Sequence, residues 1–221
     1  MLTLSSRPQL SILQTFPMKA SLPPLLDRLW LIEQGLVRTL TWNRQGDVVT
    51  LGIWGRGEVV GLPLTQLKPY QMECLTPVVV TELPLGRQSR YGQDLLLNHL
   101  WRGEELFAIV QTSSLAEALM SLLYWLAKRF GQPTNQGLLL EPVLTHQQLA
   151  ETLGCSRVAV TRMLSQLERD GRLRRLKDQE KPLRARLTQP LKLNPQRAGF
   201  RRAILLPDES DVTGPTLKAK G

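Results

Sequence analysis

Between residues 144 and 171, apolar side chains recur three and four apart in two short runs separated by a glycine. Leu149, Ala150 and Leu153 share one helical face, and Val160, Met163, Leu164 and Leu167 share the next. Thr145 stands at the N-cap of the first run, with Gln148 at capping-box spacing. Gly154 ends that run and Ser156 caps the second, which Gly171 stops. Val158, Thr161, Arg162 and Ser165 fall outside the apolar stripe. Helix, glycine turn, helix is the helix-turn-helix pattern.

Elsewhere the pattern changes twice. Trp30 to Leu40, Val48 to Trp54, Val59 to Leu62 and Val78 to Leu83 are short runs rich in β-branched and aromatic residues, bounded by glycine, asparagine and proline. They predict strands of a sandwich or barrel. From Gly92 to about Ser114 the period becomes helical. Leu96, Leu100, Gly103, Phe107 and Val110 alternate four and three apart, a narrow seam suited to pairing with a twin helix. Packing on its own chain is the alternative, and Leu95, Leu97, Trp101 and Leu106 widen the face enough to touch the strands. A second helix, Leu115 to Phe130, is apolar through Leu119, Leu122, Leu123, Trp125 and Leu126, and a short strand follows near Leu138 to Leu140. After the helix-turn-helix, Leu173–Leu176 and Leu183–Leu187 flank a charged turn and predict a hairpin, or wing. Beyond Pro190 periodicity is lost: residues 191–221 predict a basic, then disordered, tail.

Charge concentrates around the two helices. The chain carries a formal +9. Residues 145–202 hold 14 Lys and Arg against 5 Asp and Glu, whereas the remainder holds 14 of each. A basic segment beside a neutral one implies a polyanionic partner for that segment, and double-stranded DNA fits a helix whose arginines match guanine edges. No apolar run reaches the length of a membrane span, and the start of the chain lacks a signal-peptide pattern, so a cytoplasmic protein without membrane contact is expected. Two cysteines, Cys74 and Cys155, are too few for a four-thiolate iron–sulfur cluster from one chain. The two histidines, His99 and His146, lack triad-like neighbours, and no phosphate-loop motif occurs, so no enzyme is expected.

Leu144-Thr145, Leu149-Ala150, Gly154-Cys155-Ser156-Arg157, Val160-Thr161-Arg162, Leu164 and Leu167 together resemble the helix-turn-helix of the CRP/FNR transcription regulators. Trp30 to Arg38 and the glycine turn Gly57-Glu58-Val59-Val60-Gly61 resemble that family's sensory β-roll. Ser156 to Arg162 looks most like the cyanobacterial nitrogen regulator. The resemblance implies an α+β chain: a reduced β-roll (a double-stranded β-helix or jelly roll) over 1–90, a dimerisation helix over 91–114 and a winged helix-turn-helix over 115–190. The roll is short, because Ala20 to Arg28 shows no strand pattern where the family places earlier strands.

Function follows as expectation. A homodimer would read a palindromic operator, with Arg157, Val158 and Arg162 at base edges and Thr145, Gln147, Ser156, Thr161, Arg174 and Arg175 at phosphates. The alternative is a protein–protein module in which the winged domain docks an acidic partner. RNA polymerase is a further partner that the resemblance admits. The family's cyclic-nucleotide pocket needs a glutamate after its glycine turn and an arginine for the phosphate. Here Leu62 and Pro63 follow Gly61, and no arginine lies between Gly61 and Leu83. No cofactor is expected, cyclic-nucleotide regulation is not expected, and any small-molecule effector is left open.

Overall fold

The computed structural model describes residues 12–85, 92–141, 144–176 and 203–207, and the chain divides into two units, 1–103 and 104–221. In the first, β1 (Leu13–Phe16), β2 (Arg28–Gln34), β3 (Val37–Trp42), β4 (Val48–Trp54), β5 (Val59–Val60), β6 (Gln71–Cys74) and β7 (Val78–Pro84) form two antiparallel sheets. Their orders are β1-β7-β2-β5 and β4-β3-β6. Side chains alternate between faces of a strand, so Trp30 and Ile32 of β2 and Val78 and Val80 of β7 point together into one core. Val37, Trp54, Met72 and Cys74 meet them from the other sheet. The predicted run from Trp30 to Leu40 is therefore two strands, divided by a turn at Gly35 and Leu36.

Two strands, β1 and β6, escaped the sequence pattern. β1 is recognisable only through its pairing with β7, Leu13 opposite Thr81 to Phe16 opposite Val78. β6 pairs with β3, where Arg38 of β3 makes a two-point ion pair with Glu73 of β6 at 3.0 and 2.7 Å. The patternless segment after β1 has a structural role. Lys19 and Leu22 donate backbone hydrogen bonds to Cys74 and Met72, and Ser21 bridges to Glu73, which lays the segment along the free side of β6.

Helix α1 (Gly92–Val110) stops four residues short of the expected end. Its contact with the roll also differs from the expectation. Of the four residues expected to widen the face, Leu97 and Trp101 are exposed, Leu95 is half-buried and Leu106 is buried, and His99 and Arg102 touch the roll. The His99 ring stacks on Trp54 with centroids 3.9 Å apart, and Arg102 pairs with Glu58 at 3.4 Å. The cause is the helical period: residues 99 and 102 lie on one face, three apart.

In the second unit, α2 (Leu115–Phe130), α3 (His146–Leu153) and α4 (Arg157–Arg169) pack with β8 (Gln132–Thr134), β9 (Gly137–Leu140), β10 (Arg174–Leu176) and β11 (Ala203–Leu206). Leu119, Leu122, Leu123 and Leu126 of α2 are fully buried. Trp125, expected in that core, is half-buried; its Nε1 donates to Glu105 and the Arg129 guanidinium lies over its ring at 4.2 Å. The sheet order is β10-β11-β9-β8.

The first strand of the expected wing has a partner that the sequence pattern did not suggest. Residues 183–187 lie outside the described residues, and β10 pairs with β11, Leu176 opposite Ala203 and Arg174 opposite Leu205. The irregular tail expected after Pro190 therefore contains a buried strand. Ala203, Ile204, Leu205 and Leu206 form an unbroken apolar run because β11 is the second strand of the sheet, flanked by β10 and β9. Tyr124 of α2 fastens it, donating from its hydroxyl to the Pro207 carbonyl at 2.9 Å. Leu206→Ala should therefore destabilise the second unit by about 2–5 kcal/mol in chemical denaturation, as for a fully buried leucine and unlike a residue of an unstructured tail.

Candidate DNA-binding surface

The two helices of the motif are set by their ends. Thr145 Oγ1 accepts from the Gln148 backbone N–H at 3.0 Å while Gln148 Oε1 accepts from the Thr145 N–H at 2.9 Å, a complete capping box. At the other end Gly154 adopts φ 64° and ψ 34°, the left-handed conformation that costs other residues energy. Cys155 N–H then bonds back to the Ala150 carbonyl at 3.0 Å, turning the chain into the next cap. Ser156 Oγ accepts from the Ala159 N–H at 3.1 Å to start α4. Gly171 and Arg172 close α4 with backbone bonds to Glu168 and Leu167.

Packing decides which face of α4 is offered. Val160, Leu164 and Leu167 are buried, with Met163 beside them half-buried. Arg157, Val158, Thr161 and Arg162 are all exposed on the opposite side. An arginine in that position presents a planar donor fork, and Val158, 58 % exposed, offers an apolar patch between the two forks.

The polar residues around this face are not equivalent. Thr145 and Ser156 use a lone pair each for capping and keep a hydroxyl proton that can be donated outward. Gln147 is exposed and bonds to Glu151 at 3.1 Å. Thr161 differs: its hydroxyl donates to the Arg157 carbonyl at 2.9 Å and its oxygen meets His146 Nδ1 at 2.9 Å, so its one proton is already committed. Arg174 is exposed. Arg175 is tied across to α4, where its Nε donates to Glu168 at 2.8 Å and its second nitrogen to the same carboxylate. The His146 link was not legible in the sequence, since fifteen residues and a turn separate it from Thr161. Burial, then the Arg175 and Arg157 charges, lowers its pKa below the usual imidazole value.

The roll has its own interior chemistry. Trp54 Nε1 donates to Thr39 Oγ1 at 2.9 Å, and Thr39 and the Gly61 amide partly offset the effect of burial on the Tyr70 phenol. Burial pushes the Tyr70 phenol up to about 12. A side chain at residue 52 would collide with the Trp54 indole, its Cβ only 2.2 Å away, so glycine is what lets the ring lie across β4. On its other face the indole carries His99, whose Nδ1 meets the Val59 carbonyl at 3.0 Å and whose pKa burial lowers. Buried Cys74 has its thiol raised to about 11, and Cys155 in the motif's turn is raised by burial as well. Neither carries thiolate character.

Residues 115–189 match the Crp-like helix-turn-helix domain. The regulatory protein CysR of Synechococcus elongatus is 39 % identical over 150 residues, covering 66 % of this chain and 72 % of that protein. The global nitrogen regulator of the same organism is 28 % identical over 157 residues, covering 64 % and 70 %. Among solved structures, a CRP/FNR-family transcriptional regulator from Thermus thermophilus superposes with a TM-score of 0.64 at 21 % identity, covering 90 % of this chain and 95 % of that one. FixK2 from Bradyrhizobium japonicum superposes with 0.65 at 14 % identity, covering 91 % and 95 %. The relatives are regulators rather than enzymes, and the capped helix pair with its outward arginines is the part of this chain that a DNA-binding regulator requires. By that surface, the roll that precedes it in the chain and the similarity to CysR, the chain is a transcription regulator with a helix-turn-helix DNA-binding domain and belongs to the CRP/FNR family.

Proposed function

We propose that this regulator acts in the cytoplasm as a homodimer on a palindromic operator, with α4 of each copy in a major groove. The observation that carries the reading is the exposed trio Arg157, Val158 and Arg162 on a helix whose other face is buried. In a symmetric dimer the two recognition helices would enter grooves roughly 34 Å apart, one turn of DNA. Arg157 and Arg162 read guanine edges and Val158 meets a thymine methyl. Thr145, Ser156, Gln147 and Arg174 contact phosphates. Thr161 acts instead as a strut, because its one proton is engaged within the domain, while Arg175, tied to Glu168 through Nε and one terminal nitrogen, contacts phosphate with its remaining N–H groups.

Support for the dimer comes from α1. Leu96, Leu100 and Phe107 are 42 %, 55 % and 66 % exposed, an apolar seam too costly to leave in water along a whole helix. A Cβ at Gly103 meets nothing within 4 Å, leaving room there for a second helix to approach.

The roll is proposed to work without cyclic nucleotide. Leu62 and Pro63 form a 3-10 turn where a ribose-binding glutamate would be needed. A different effector and a contact with RNA polymerase remain compatible with this reading.

Three outcomes test it. Arg157→Ala should lose preference for one base pair per half-site, about 1–3 kcal/mol, while keeping affinity for random duplex; equal loss on both would assign Arg157 to the backbone. Leu100→Glu with Phe107→Glu should sediment as a monomer and lose the palindrome's two-site affinity, whereas an unchanged dimer would overturn the seam. Calorimetric titration with cyclic AMP and cyclic GMP should give no saturable heat, and saturation by either would refute a nucleotide-free roll.

A further inference from the structure

Val158 is an apolar residue in the first turn of α4, and the fold gives no reason for it to be there. It is 58 % exposed, so it adds nothing to the buried stripe of Val160, Leu164 and Leu167. Valine is also a weak helix former, because its branched side chain loses freedom against the preceding turn. Neither packing nor helix propensity favours it over alanine or a polar residue. What the branch supplies is fixed position: with χ1 held to one rotamer, both methyls stay where the helix puts them.

Its neighbours define what a base pair meets there. Arg157 precedes it, Thr161 lies three residues on and Arg162 four, all exposed on the same side of the helix. Both guanidinium groups are donors only. The Thr161 hydroxyl gives its proton to the Arg157 carbonyl at 2.9 Å, and its oxygen is met by His146 Nδ1 at 2.9 Å. What Thr161 has left to set beside Val158 is its methyl. Val158 itself carries neither donor nor acceptor.

In the major groove thymine shows a methyl at C5 beside the O4 acceptor, and cytosine shows the N4 donor beside a bare C5. 5-Methylcytosine carries the thymine methyl in the same place, beside the N4 donor. A side chain without polar atoms separates methyl from hydrogen at C5 and is blind to the difference between O4 and N4–H. Resting on the DNA-binding reading, we propose that Val158 reads the pyrimidine 5-methyl group as such, so that 5-methylcytosine opposite guanine serves in place of thymine opposite adenine at one position of each half-site. The two arginine forks are spent on neighbouring guanines and do not contact that pair. Methylating a cytosine there strengthens binding, and removing the methyl from thymine weakens it. Burial of one methyl-sized group changes affinity about fourfold per half-site, or roughly fifteenfold over two.

The test is fluorescence anisotropy of the full chain, parent and Val158→Ala, on a duplex that the parent selects from a random pool. Each thymine of both half-sites is replaced in turn by deoxyuridine, which removes the methyl and keeps O4 and the pairing. At the sensitive thymine, cytosine and 5-methylcytosine opposite guanine are then compared. For the parent, deoxyuridine should cost about fourfold at one thymine per half-site, and 5-methylation of cytosine should gain about as much. Both ratios should fall toward one in Val158→Ala, with melting temperature and affinity for random duplex unchanged. A half-site in which no thymine methyl contributes, a methyl effect of equal size in Val158→Ala, or 5-methylcytosine binding no better than cytosine would overturn the proposal and leave DNA binding intact. Selection of no duplex, with no salt-dependent affinity for random DNA, would instead overturn the DNA-binding reading itself.

Discussion

One constraint governs the second unit: α4 must bury Val160, Leu164 and Leu167 while holding Arg157 and Arg162 in water. A thirteen-residue helix has little stability of its own and depends on its packing and its ends. The ends are unusually complete here. A capping box opens α3, left-handed Gly154 closes it, Ser156 starts α4 and a glycine-bearing turn stops it. These local bonds set the angle between the helices, and the buried stripe then sets the rotation of α4 about its axis. The arginine forks point outward because both are fixed.

The polar side chains near that face divide by where their protons go. Thr145 and Ser156 accept from the backbone and can still donate to a partner. Thr161 spends its one proton on the Arg157 carbonyl, and Arg175 spends part of its donor set on Glu168. Position on a helix therefore nominates contact residues, and hydrogen-bond accounting selects among them. The same accounting applies inside the roll. Trp54 spends its indole N–H on the buried Thr39 hydroxyl. The stack of His99 on Trp54 continues that chain onto α1, which also presents the exposed apolar seam.

The helix-turn-helix was legible because everything that forms it is local: caps, a glycine and a period, all within thirty residues. Most strands with alternating or β-branched runs were legible for the same reason. β1, β6 and β8 were not, since Leu13–Phe16, Gln71–Cys74 and Gln132–Thr134 are three or four residues long and gain their identity from the strand opposite. The wing shows the limit most clearly. Arg174–Leu176 was read as a strand, and it pairs with Ala203–Leu206, a run that the pattern did not read as a strand. The distance along the chain is tolerable, since the cost of closing a loop grows only as the logarithm of its length. Burying four consecutive apolar residues of β11 between β9 and β10 offsets that cost.

The sequence by itself determined the two helices, their caps, the outward arginines and the absence of a nucleotide-binding glutamate and arginine, all of which are written in residue type and near-neighbour spacing. Only the tertiary structure decided that β11 completes the sheet and that His99 and Arg102 rather than Leu97 and Trp101 meet the roll. It alone showed Thr161 placed between the Arg157 carbonyl and His146, and Arg175 tied to Glu168. Each of these depends on which groups far apart in the chain come within hydrogen-bond reach, and a one-dimensional pattern does not carry that distance.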